Sequence, residues 1–238
     1  VAYTYLDITN EVLARFNEVT LTSSGFSSAR GFQVQCKNAV NDAIRYINQS
    51  EFNWPFNHST QSETLVAGTS RYSIPADAKT VDYETFRIVR NESLGSRGDS
   101  LQLMNYYEYV DRFISQEDTT GVGSVPTHVI RTPDNNFVLY PYPDKAYTLK
   151  YEYYTLPTTL SAQDDVPTIP EQFRHVIADG ATAYAYQYRG EAQQYAINFG
   201  RFEQGIKNMQ TLILNRFDYM KSTVVNQPVP SSSGPRVA

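Results

Sequence analysis

The 238-residue chain is poor in the residues that most chemistry needs. It has one cysteine, Cys36, so it cannot build an intramolecular disulfide framework, and a cysteine-rich zinc site is excluded. Three histidines, His58, His128 and His175, stand without a ligand-spaced neighbour, which leaves little material for a metal centre or for acid and base work near neutral pH. Cofactor-binding and metal-binding roles are therefore not expected. No Gly-rich phosphate loop, GxSxG elbow or HExxH motif occurs. Lys and Arg number 20 against 25 acids, for a net charge of −5, and a free-standing nucleic-acid binder needs the opposite balance. A surface lining a DNA path is still compatible with that charge. Long apolar runs are absent, so no membrane anchor is expected, and the first residues lack the basic and apolar regions of a secretory signal. The chain reads as one made and assembled in a cytoplasm. Without such a signal, the glycosylation triplets at Asn48, Asn57 and Asn91 carry no meaning.

What is abundant is tyrosine, 19 residues of it, and hydrophobic residues make up 41% of the chain, enough for a sizeable core. Their patterning divides the chain into α+β. Thr4 and Asp7 suit a helix cap, and Tyr5, Ile8, Val12, Phe16 and Val19 recur in steps of three or four. TLTSSGFSSARG is a loop by composition. A second helix carries Cys36, Val40, Ala43, Ile44 and Ile47 on one stripe, which makes Cys36 a core residue, and it ends near Ser50. From Pro170 a third helix places Phe173, Val176, Ile177, Ala181, Tyr184 and Tyr188 on one face and stops at Gly190. A fourth is predicted from about Glu191 to Tyr219.

Between about Glu63 and Pro157 the period changes to short alternating runs, namely RYSIP, TFRIV, LQLM, THVIRT, NFVLYPYP and YTLKYEYYTLP. PDNN and YPDKA separate the last three, which predicts an antiparallel meander. NYYEYVDRFIS reads as a short helix or lid among the strands. The division expected is a helical bundle over 1–60 and 168–221, with its N- and C-terminal helices antiparallel. An inserted antiparallel β domain, meander or sandwich-like, covers 61–167, and an extended tail runs over 222–238.

Several constellations invite a chemical reading and have a plainer one. Asp164 and Asp165 are adjacent in a loop holding two prolines, where neighbouring side chains diverge. Asp134, Asn135 and Asn136 are explained by turn formation, and the EF-hand pattern is missing. Glu108, Asp111 and Glu117, the best acid candidates for an enzyme, have the spacing of a solvated helix face. Arg97, Gly98 and Asp99 spell an adhesion tripeptide inside NESLGSRGDS, a stretch better read as a hairpin tip open to a partner. Tyr140 with Tyr142, and Tyr151 with Tyr153, share strand faces by period two and suit either a core or a surface for proteins or sugars.

The order VPTHVIRTPDNNFVLYPYPDKAYTLKYEYYTLPTTLSAQDDVPTIPEQFRHVIADGATAYAYQYRGE, with TYLDITNEVLARFNEV, a second amphipathic helix and a Trp-Pro segment before it, resembles the head-to-tail adaptor proteins of short-tailed bacteriophages. That group includes tail tubular protein A. The resemblance implies a structural virion protein in the phage neck and no enzyme. Such a protein is a homo-oligomer, a twelve-fold ring, seated between the portal protein and the tail nozzle or tubular protein around a channel that passes double-stranded DNA. It also implies that the helices meet the portal and the β part faces the tail. On that reading Gly180, Tyr184, Tyr188, Gly200 and Gly205 serve subunit packing, and Val224, Val225, Pro228, Val229, Pro230 and Arg236 of the tail reach the portal. Arg97, Tyr140 and Tyr142 face the tail side. A carbohydrate-binding or host-surface module using the Tyr-rich strands is the alternative. Muralytic activity, known in some relatives, has no matching carboxylate pair here.

Overall fold

The computed structural model describes residues 3–51, 53–89, 98–116 and 123–214. It is α+β, with five helices and two four-stranded sheets. Helix α1 spans Tyr5–Arg15 and opens on a reciprocal cap: Asp7 N–H donates to Thr4 Oγ1, and the Asp7 carboxylate accepts from Thr4 N–H at 3.0 Å. These bonds hold the Asp7 carboxyl below its ordinary range. The apolar spacing predicts a helix out to Val19, but it ends at Arg15. Asn17 adopts φ 54°, a left-handed value that turns the chain, and Val19 is left 77% exposed. The amide of Asn10 then pins the returning chain, donating to Leu21 C=O at 2.9 Å and accepting from Leu21 N–H at 2.7 Å.

Helix α2 covers Phe32–Ser50, as its stripe predicts, and buries Cys36, Val40, Ile44 and Ile47. The Cys36 thiol, deep among apolar groups, is pushed up to about 12, which makes it an inert core residue. Helix α4 covers Arg174–Arg189, entered through a 3₁₀ turn at Glu171–Phe173. Pro170 lies just before that turn and not in the helix. Gly190 closes α4 at φ 78°, the left-handed stop its position predicts. Helix α5 covers Ala192–Ile213, about 33 Å at about 1.5 Å per residue. The stretch 215–219, predicted to continue α5, lies outside the described residues, as does the tail.

Helices α1, α2, α4 and α5 bury their stripes in one core, joined by Trp54, Leu160 and Ile169. The long helix α5 lies against α4 because two glycines make room. A Cβ on Gly180 would stand 2.6 Å from the Phe202 ring, and one on Gly205 would stand 3.0 Å from Val176. Both glycines are among the residues expected to serve subunit packing. Their smallness is used inside the protomer.

The eight strands are β1 His58–Thr64, β2 Arg71–Ser73, β3 Ala78–Val89, β4 Asp99–Ser100, β5 Gln102–Met104, β6 His128–Arg131, β7 Asn136–Tyr140 and β8 Thr148–Thr155. One sheet has the order β1-β8-β3-β4, the other β2-β7-β6-β5, and pairing is antiparallel except between β5 and β6. The inward faces meet in a second core built from Leu65, Phe86, Val129, Phe137, Leu149 and Tyr151 with their neighbours. Alternate residues Ile130 and Val138 point out of this sandwich and are covered by helix α3, Tyr106–Arg112, through Tyr109.

Half of the predicted meander stands. Strands β6 and β7 form the expected hairpin, with Asn135 at φ 62° in its turn. Strand β8, however, does not pair with β7. Its neighbours are β1 and β3, so YPDKA carries the chain from one sheet to the other. Strand β7 already has β6 and β2 on its two edges, and β8 finds a seven-residue partner in β1, a strand that HSTQSET conceals by lacking any apolar alternation. A further correction concerns Tyr142. The strand ends at Tyr140, so Tyr142 lies beyond the strand whose face it was predicted to share with Tyr140.

The two cores meet at a polar seam. Lys79 of β3 donates to the carbonyls of Asn48 and, at 2.7 Å, Glu51, closing the C-terminal end of α2 from the opposite module. Asn57 donates to Asn48 Oδ1, accepts from Thr168 Oγ1 at 3.2 Å, and receives Thr155 Oγ1 on its carbonyl. The Trp54 indole seals the helical side, its N–H on Ile47 C=O at 2.8 Å.

Candidate interaction surfaces

The groups that could be drawn as chemistry are occupied with structure. His58 faces Glu152 at 3.0 Å on the outside of the first sheet, with Arg87 on the same carboxylate at 3.8 Å. The ring of His128 meets Thr127 Oγ1 at 2.9 Å, and His175 is exposed on α4. Asp165 does not converge with Asp164. It accepts the backbone N–H groups of Ser161 and Ala162, which lower its carboxyl below the usual range. Asp134 accepts from Thr132 and Asn136, a turn and not a calcium loop, and those bonds lower it likewise. Glu108 pairs with Arg112 at 2.8 Å one helical turn on, while Glu117 lies outside the described residues. Among the described residues no three His, Cys, Asp or Glu side chains converge to hold a metal ion. No helix among them is long and apolar enough to cross a membrane.

The tyrosines separate into two populations. Tyr151 and Tyr153 share a face as predicted, and that face is the sandwich core: Tyr151 stacks on Phe86 at 4.4 Å. Neither is available to a sugar or a partner at the surface. Tyr140 lies on the opposite face of the second sheet, half-buried under α3 and stacked on Phe113 at 4.3 Å. The outside of α3 and the turn after it bring apolar area to solvent, with Tyr107 80% exposed and Ile114 also exposed. The sequence held a signal for this surface. NYYEYVDRFIS has more aromatic and aliphatic residues than one face of a seven-residue helix can bury.

A second open surface is the outer side of α5. Phe202, Ile206 and Met209 face α4, and on the reverse Ala196, Ile197, Gly200, Gln204 and Thr211 are all exposed. Lys207 is the one charge on the middle of that face, flanked by Arg201 and Glu203. Nothing lies within 4 Å of where a Cβ on Gly200 would stand, in contrast to Gly180 and Gly205. Tyr188 is 60% exposed at the end of α4, while Tyr184 is half-buried against Phe199, its hydroxyl pushed up to about 12 by burial. Of the five residues predicted for subunit packing, Gly200 and Tyr188 are thus at the surface and Gly180 is fully inside. Arg97 and the tail residues Val224, Val225, Pro228, Val229, Pro230 and Arg236 lie outside the described residues.

Most of the acids and histidines singled out above, and the lone cysteine, are engaged in caps, turns, ion pairs and packing, and open apolar faces remain on α3 and α5, features that define a candidate protein-binding surface and no chemistry. The sequence profile described as SU10 adaptor protein matches residues 3–226, nearly the whole chain. The chain belongs to that family of phage structural adaptors. No curated protein matches it significantly.

Proposed function

We propose that this adaptor is a ring subunit of the phage neck, of the tail tubular protein A kind, that joins the portal to the tail nozzle and lines the path of ejected DNA. The observation that carries this reading is the family match over 3–226. The open outer face of α5 supports it, because a long helix with two exposed aliphatic residues, Ile197 and Leu212, and an unobstructed glycine suits close packing by a neighbouring copy. In this proposal the helical part, an antiparallel bundle of 1–60 and 168–221, forms the ring through Gly200 and Tyr188. The sheet part, 61–167, faces the tail through α3 and Tyr140. The segment 222–238 reaches the portal. A net charge of −5 suits a channel through which DNA slides without adhering. Assembly takes place in the host cytoplasm, the ring is a dodecamer, and no chemistry is catalysed.

Electron microscopy of the purified protein, alone and mixed with a portal ring, tests this. Rings, alone or templated on the portal, are expected. Ile197→Arg should abolish them without unfolding the protomer, since Ile197 is 48% exposed on the open face of α5 and lies outside the buried core. A lasting monomer that ignores portal rings overturns the proposal.

A further inference from the structure

At the waist of the molecule, beside the seam, the connection from β2 to β3 and the β6–β7 turn enclose a cleft of about 480 Å³. Its lining mixes the apolar side chains of Ile74, Pro75, Ala78 and Val81 with polar surface that includes Thr80, Arg131 and Asn135. Two cations line it and no acid does. Lys79 is committed to the carbonyls of Asn48 and Glu51. Arg131 is exposed, makes no ion pair among the described residues, and reaches Asn135 Oδ1 only at 3.4 Å. Neighbouring acids are turned to other partners: Asp77 faces the Tyr153 hydroxyl at 3.5 Å, Asp82 accepts from Glu84 N–H, and Asp134 is held by Thr132 and Asn136. In the wall, the Tyr83 hydroxyl is shut off from water and has no hydrogen-bond partner among the described residues. Such a group destabilises a fold unless something satisfies it.

We propose that this cleft receives an acidic side chain, a carboxylate on an aliphatic stem, from a segment of another virion protein. The side chains of Ile74, Pro75, Ala78 and Val81 take the stem, the Arg131 guanidinium takes the carboxylate, and the unmet Tyr83 hydroxyl in the same wall is a second donor. A polypeptide is the source because the chain belongs to an adaptor family, whose members join virion proteins. This occupant rests on the family assignment and not on the ring, so either proposal can fail without the other.

The full chain is titrated into fluorescein-labelled acetyl-Leu-Glu-Leu-Glu-Leu-amide and its Gln-for-Glu counterpart, followed by anisotropy. The Glu peptide is expected to bind about tenfold or more tightly than the Gln peptide, the scale of one charge-assisted hydrogen-bond pair. Arg131→Gln should erase that preference, Arg131→Lys should restore part of it, and Arg201→Gln on α5 should leave it unchanged. Tyr83→Phe should weaken it less than Arg131→Gln does. Equal binding of the two peptides, no binding of either, or a preference that survives Arg131→Gln overturns the proposal. Free hexanoate that displaces the peptide at equal concentration overturns the assignment to a polypeptide.

Discussion

The two cores of this protein are built on different economies of side chain. The helical core is mainly aliphatic, with Ile8, Val12, Val40, Ile44, Ile47, Ile177 and Ile206 buried together, and its buried Tyr5 and Trp54 have partners for their polar atoms, Lys37 C=O and Ile47 C=O, each at 2.8 Å. The sandwich core is aromatic: Tyr83, Phe86 and Tyr151 stack nearly parallel, and Phe137 meets Phe86 edge-on at 5.2 Å. Aliphatic packing leaves no polar atom to satisfy, whereas tyrosine brings a hydroxyl wherever it brings a ring. The consequence is visible in the second core, where the hydroxyls of Tyr83 and Tyr151 are buried without hydrogen-bond partners among the described residues. The helical core thus satisfies the polar atoms of its buried Tyr5 and Trp54, and the sandwich gains large rings at the expense of stranded polar groups. The sharpest way to break this comparison is to remove the ring on which the sandwich turns. Phe86→Ala should destabilise by about 3–5 kcal/mol. Trp54 is the only tryptophan and belongs to the helical core, so its fluorescence reports that core, while near-UV circular dichroism of tyrosine reports chiefly the other. In urea the tyrosine signal of the variant should be lost first. Coincident loss of both signals would mean that the seam of Lys79, Asn48 and Asn57 welds the cores into one cooperative unit.

A second contrast is internal to the helices, where one residue type has opposite roles. Gly180→Val forces a side chain to within 2.6 Å of the Phe202 ring, and overpacking of this kind should destabilise by about 1–3 kcal/mol in thermal unfolding. Gly200→Ala adds a methyl in open space on the exposed side of α5 and should stabilise the protomer by up to about 1 kcal/mol. Should Gly200→Ala raise the melting temperature yet hinder ring formation in the electron microscope, the glycine is kept for a neighbour's backbone, and the contrast with Gly180 becomes one between inner and outer packing.

These glycines also mark the limit of what the sequence makes legible. The stripes of α2 and α4 are plain in it, because a 3.6-residue period records which side faces a core. It does not record whether the partner helix belongs to the same chain or to another, so the closeness of Gly180 to Phe202 and of Gly205 to Val176 within the protomer could not be read from it. The sandwich was legible where alternation is strong, in β6 to β8, and invisible in β1, whose inward positions Ser59, Gln61 and Glu63 are all polar. With β1 out of view and only the short YPDKA turn between them, β7 was the nearest partner for β8 along the chain, and the meander followed from that adjacency. The end of α1 is fixed by a single left-handed Asn17, a conformation that Asn favours but that composition does not announce. Of the candidate surfaces, the excess of apolar residues in α3 was readable. The cleft beside Lys79 was not, since it joins residues 74–83 to 131–135 through tertiary packing alone.

The stranded hydroxyls give a smaller test of the same contrast. Tyr151→Phe keeps the ring that stacks on Phe86 and removes an oxygen with no partner, so it should leave stability unchanged or raise it by about 1 kcal/mol. The same truncation of a satisfied tyrosine, Tyr5→Phe, removes a hydroxyl that donates to Lys37 C=O at 2.8 Å and should lower stability by about 1 kcal/mol. Parallel urea titrations of the two variants measure the difference. Equal and negative effects would show that Tyr151 has a partner in solution, such as a buried water.

The smallest expected effect lies at the polar edge of the sandwich. Glu63 points inward from β1 opposite Leu149, with no ion pair among the described residues, and partial burial raises its carboxyl above the ordinary value. Because the folded-state pKa lies above the unfolded one, the fold binds this proton more tightly than the open chain does. Its contribution is fully present below the unfolded pKa and is lost as pH rises through the folded value. Near neutral pH the ionised Glu63 therefore opposes β1 docking, an inward charge of the kind that keeps an edge strand from recruiting further strands. Glu63→Gln should raise stability at pH 7 by less than about 1 kcal/mol, since the group is largely open to screening, and the gain should vanish below the carboxylate range. Melting temperatures of the two proteins from pH 3 to pH 8 decide it. Curves that stay parallel across that range would place Glu63 in solvent and remove charge from the account of why this edge stays single.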